Sequence, residues 1–115
     1  VNRKLSKGDE VLQRIVDLVV RTEATVEALE ATASDGRWAM TAFSRYRLCE
    51  LLEIAPYASN DGELADDPVA LLEQAALAVE ELDVPIEELS WRLALGDAVR
   101  TAAADIRMVR DARDV

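Results

Sequence analysis

The sequence predicts an all-α protein, a single-domain bundle of about four helices. Apolar residues recur at steps of three and four over long runs, and nowhere do apolar and polar residues alternate as in a half-buried strand. Proline or Asp-Gly breaks divide these runs at helix-length intervals. The 115 residues, half of them hydrophobic and 31% charged, suffice for a core of three to five helices without disulfides, so 1–115 reads as one domain.

The first helix is expected over 9–33. Leu12, Ile15, Val19, Thr22, Val26 and Leu29 step by three and four for about three heptads, the seam of a helix packed lengthwise on a partner. The β-branched "RIVDLVV" also favours strand, but the seam outruns a typical strand, so helix prevails. Ser6 is the expected N-cap, with Asp9 closing the capping box. Leu12, Ile15, Val19, Val26 and Leu29 are taken as a self-association seam, giving a homo-oligomer.

"SDGR" (Ser34 to Arg37) breaks the chain, and a second helix is expected over 38–54, ahead of Pro56. Its charges, Arg45, Arg47, Glu50 and Glu53, do not gather on one face, so this helix is expected to touch neighbours on more than one side. A loop over 55–66 then separates two helical halves.

The third helix is expected over 67–83, with Asp67 as cap and Pro68 at the first helical position, where a missing N–H costs nothing. Glu73, Gln74, Glu80 and Glu81 form a polar stripe, and Leu71, Leu72, Ala75, Ala76, Ala78, Val79 and Leu82 cover the rest. Leu77 stands within the polar stripe, three or four residues from each of its members. "DVPIEEL" repeats the start signal, placing a fourth helix over 86–110 with Glu87 and Glu88 complementing its dipole. Trp91, Leu95, Ala98, Ala102, Ile106 and Val109 make its apolar stripe, a second surface suited to self-association. Gly96 marks a kink or a tight contact.

Charge narrows the function. Residues 1–56 hold eight Lys/Arg against nine Asp/Glu, a net −1, whereas 57–115 hold five against fourteen, a net −9. No basic residue lies between Arg47 and Arg92, an interval carrying twelve carboxylates. Such a block repels phosphate backbones, which argues against direct nucleic-acid binding and suits a basic protein partner. With no histidine, neither Ser/His/Asp nor Cys/His nucleophile systems can be built, nor a Cys/His zinc site. The single cysteine, Cys49, reads as a small apolar residue in a reducing compartment. The apolar run from Val11 to Val20 is broken by Gln13, Arg14 and Asp17, unlike a signal peptide or a membrane span. A cytoplasmic protein is expected, or a phage or virus protein made there, without membrane insertion.

Glu50 and Glu53, at i and i+3, would project to one side of a helix and hold a hard divalent cation through oxygen. Glu63 and Asp66 repeat the spacing. "ELLE" and "ELAD" resemble the paired ExxE and ExxD motifs of the all-α nucleoside triphosphate pyrophosphatases of the MazG type, and "LDVPIEEL" with Arg100 has a similar look. The resemblance spans residues 50 to 100. It implies an enzyme with magnesium as cofactor, held by Glu50, Glu53, Glu63 and Asp66. "EELD" (Glu80 to Asp83) is the other segment of matching spacing. The bland reading of the same stretch is a helix end, a turn and the next helix's cap, and it needs fewer assumptions. The leading expectation is therefore a non-enzymatic interaction protein without cofactor, an adaptor, assembly, inhibitor or structural subunit. It would act through helix contacts and an acidic surface, with Leu77, Glu73, Glu80 and Glu81 as the partner-binding residues.

Overall fold

The breaks seen in the sequence become the ends of four helices: α1 (Lys7–Thr32), α2 (Ala42–Leu52), α3 (Pro68–Glu81) and α4 (Leu89–Asp111). The computed structural model describes residues 7–33, 35–55 and 67–112, and no strand occurs among them. Short 3-10 helices, Arg37–Thr41 and Ile86–Glu88, lead into α2 and α4. The second helix therefore begins as a tighter turn at its predicted start and becomes α-helical only at Ala42. It also stops at Leu52, short of the predicted Ile54. Glu53 adopts the left-handed conformation (φ 57°, ψ 40°), and the Ile54 N–H turns back to the Cys49 carbonyl at 3.0 Å.

At α3 the sequence signals hold. The Asp67 carboxylate accepts from the Val69 N–H at 3.0 Å, with Pro68 at the first helical position. The other end of α3 is closed from outside, where Arg92 on α4 donates to the Val79 and Glu80 carbonyls at 3.2 and 3.0 Å. Ser6, the expected cap of the first helix, lies outside the described residues, as does most of the 55–66 loop.

Packing runs in a ring, α1 against α3, α3 against α4 and α4 against α2, with a slight contact between α2 and α1 closing it. Neighbours run antiparallel. Arg14 reaches Glu81 across α1 and α3, Arg107 reaches Glu73 across α4 and α3, and the Trp91 indole N–H donates to the Leu51 carbonyl across α4 and α2. So α1 and α4 point one way and α2 and α3 the other. Glu53, which closes α2, and Asp67, which opens α3, consequently lie at opposite ends of the bundle, each with a cavity beside it.

The core explains both apolar stripes. Ile15, Val19 and Val26 of the first-helix seam are buried within the chain, with Leu12 and Leu29 partly buried against the same core. The Thr22 hydroxyl, inside the seam, donates to the Leu18 carbonyl at 2.8 Å and is thereby satisfied. Leu95, Ala98, Ala102, Ile106 and Val109 of the fourth helix are buried too. The surfaces assigned to self-association are thus corrected to the monomer's own interior. A seam of this length needed a partner helix, and α3 supplies it in cis. Alanines at 75 and 78 on α3 and at 98 and 102 on α4 are all buried in this core. At Gly96 the α4 helix continues unbroken, and a Cβ there would meet Arg100 Nη1 at 3.3 Å and a Val79 methyl at 3.6 Å, the latter an ordinary van der Waals contact. Among the described residues, no helix is long and apolar enough to cross a membrane.

Candidate functional site

Leu77, Glu73, Gln74, Glu80 and Glu81 all lie on α3. Leu77 is 64% exposed on the outer face of α3, and Glu73, Gln74, Glu80 and Glu81 are exposed as well. Two of these carboxylates are shared within the chain, because Arg107 lies 3.2 Å from Glu73 and Arg14 lies 3.1 Å from Glu81. Such exposed pairs are weak, roughly 0–1 kcal/mol, and open readily to a competing cation. Other large apolar side chains also face solvent, Phe43 at 86% and Ile86 at 81% exposure foremost.

The carboxylate pair Glu50 and Glu53 does not form one helical face. Glu50 stays on α2 beside Phe43, Tyr46 and Arg47, whereas Glu53 has left the helix through its left-handed cap and lines a different hollow with Asp83 and Glu88. Residues at i and i+3 share a face only where both are helical, and α2 ends one residue too early for that. Glu63 and Asp66 lie outside the described residues. Among the described residues, no three acidic or cysteine side chains are gathered as metal ligands.

Between α1 and α2 lies a buried polar cluster that no motif in the sequence announces. Arg45, buried, forms an ion pair with the buried Glu23 through Nη1 and Oε2, and its Nε donates to Thr41 Oγ1 at 2.8 Å. The Thr41 hydroxyl in turn donates to the Trp38 carbonyl at 2.7 Å. Cys49 donates through Sγ to Glu23 Oε1 at 3.4 Å. The remaining Arg45 nitrogen, Nη2, has no hydrogen-bond partner and sits 3.9 Å from Glu30 Oε1. Glu23 falls next to the seam at i+4 from Val19, and the run Thr22 to Val26 is buried throughout, because α3 flanks α1 on one side and α2 touches it on another. The one sequence sign was the scatter of charge around the second helix, which implied contacts on several sides.

This cluster builds no nucleophile. Burial, followed by the charge of Glu23 and the hydrogen bond to it, pushes the Cys49 thiol up from 9.0 to about 12, while Arg45 opposes the shift only in part. We expect iodoacetamide to leave Cys49 unmodified in the folded protein at neutral pH and to alkylate it after denaturation. Rapid labelling without unfolding would show the thiol to be accessible. Because the folded thiol ionises later than the unfolded one, its contribution to stability is complete below pH 9.0 and is lost as pH rises toward about 12.

The fold and these surfaces define an acidic four-helix bundle with outward-facing apolar side chains and a sealed polar core cluster. Compared with protein-family models, with curated proteins and with solved structures, the chain matches none.

Proposed function

We propose that this chain is a non-enzymatic interaction protein, an adaptor, assembly or inhibitor subunit, that engages a protein partner through apolar side chains set in an acidic surface. The observation that supports this reading is Leu77, an exposed leucine at the centre of the outer face of α3 with carboxylates around it. There it contributes little to the fold. In a partner's pocket it would serve as an anchor, and the surrounding carboxylates would meet a basic rim. The net −9 of residues 57–115 favours a basic partner and a fast, salt-sensitive encounter.

The test is native mass measurement with co-purification, followed by the Leu77→Ala variant. Its folding stability is expected to change by no more than about 0.5 kcal/mol. Affinity for the partner is expected to fall about tenfold or more and to weaken further with salt. Unchanged affinity would overturn the reading. A folding loss of about 2–5 kcal/mol would place Leu77 in a core instead. A one-to-one complex with a basic protein indicates an inhibitor, and a discrete homo-oligomer indicates a structural subunit.

A further inference from the structure

At the end of the bundle where α2 and α3 finish and α1 and α4 begin lies a cavity of about 400 Å³. That volume falls within the range of pockets that take a small molecule or a side-chain anchor, about 300–1,000 Å³. Leu12, Leu52, Val84 and Trp91 are among the residues that make its apolar walls. Asp9, Glu53, Asp83 and Glu88 also line it, and among the described residues no lysine or arginine does. The field is set further by the α2 C-terminus, which opens onto the cavity without a basic residue in its last turn.

We propose that this cavity is the docking site for a basic segment of a protein partner, one in which apolar side chains alternate with arginine or lysine. The inference deepens the function proposed above and rests on it. Charge complementarity selects the occupant. An apolar side chain, or the aliphatic stem of an arginine, fills the space against Leu52 and Val84, and cationic heads reach Glu53, Asp83 and Glu88 at the rim. Trp91 adds an aromatic surface that attracts a guanidinium. A lone metal ion is a poorer match, since the carboxylates stand around an apolar hollow and are not gathered as ligands.

The test titrates the full chain with a short fluorescein-labelled peptide of alternating leucine and arginine, with its glutamate counterpart as control. Amide and indole chemical shifts are recorded throughout. Binding of the arginine peptide only is expected, with the largest shifts at Leu52, Val84 and the Trp91 indole. Glu53→Gln combined with Asp83→Asn is expected to weaken it about three- to tenfold, and Met108→Ala, which alters an exposed side chain toward the far end of α4, is expected to leave it unchanged. Equal binding of both peptides, indifference to the Glu53/Asp83 double variant, or shifts at these residues with magnesium chloride alone would each overturn the proposal. Shifts centred on Leu77 would overturn the cavity while leaving the interaction reading intact. No peptide binding at all would also overturn the cavity, the interaction reading then being judged by its own co-purification test.

Discussion

Replacing Arg45 with methionine is expected to cost the fold about 3–5 kcal/mol, because it strands the Glu23 carboxylate in the interior without its cation. Urea denaturation measures this directly. The same variant combined with Glu23→Leu is expected to recover most of the loss, returning to within about 1–2 kcal/mol of the parent or exceeding it. The expectation follows from how incompletely the pair is satisfied. Arg45 Nη2 has no hydrogen bond, and its nearest further carboxylate, Glu30, is 3.9 Å away. A half-satisfied buried network gains less from its Coulomb attraction than two desolvated ions lose, whereas leucine and methionine would fill the space with dispersion contacts. Cys49 loses its acceptor in the double variant, but a thiol is a weak donor and little follows from that. If the double variant is as unstable as the single one, the ion pair is a net stabiliser and this account of it fails.

How much of this could be read in advance depends on whether a signal is local. The cap at Asp67 and the proline after it are local, and α3 starts where they say. The seam of α1 is nearly as legible, since a face of that length must be covered; what sequence alone cannot give is whether the cover comes from another chain or from α3. Leu77 was readable because its helical neighbours are fixed by the 3.6-residue period. Glu23 was not, because its burial is decided by α2 arriving from elsewhere in the chain, and by the match of one arginine to one carboxylate. The end of α2 was missed for another reason. A left-handed cap is normally announced by glycine, and here glutamate holds the position, leaving no residue to mark it. That single displaced boundary also separates Glu50 from Glu53 and so undoes the paired-carboxylate face.

Val19→Asp is expected to have the larger effect of the two substitutions argued here, and it separates a core seam from an oligomer seam. Val19 is 1% exposed, on the α1 face that packs in the core. A carboxylate introduced there lies on the same small void as Glu23 and Arg45, whose guanidinium Glu23 already engages, so it adds a second buried negative charge to one cation and costs several kcal/mol in addition to the lost burial of the valine. For a domain whose whole stability is about 5–15 kcal/mol, that is enough to leave much of the chain unfolded. The variant is therefore expected to lose helical circular dichroism and cooperative melting at any protein concentration, rather than to dissociate into folded monomers. The deficit also has a pH signature. Burial raises the folded-state pKa of the new carboxyl above its unfolded value of about 3.9, so the penalty grows as pH rises through the folded pKa and shrinks in mild acid, measured against the parent at the same pH. Val19→Asn removes the same apolar contacts without the charge and is expected to show a smaller loss that does not vary with pH. A Val19→Asp protein that stays folded, with the parent's melting temperature and a lower mass, would return the seam to the surface and put another chain, not α3, against it.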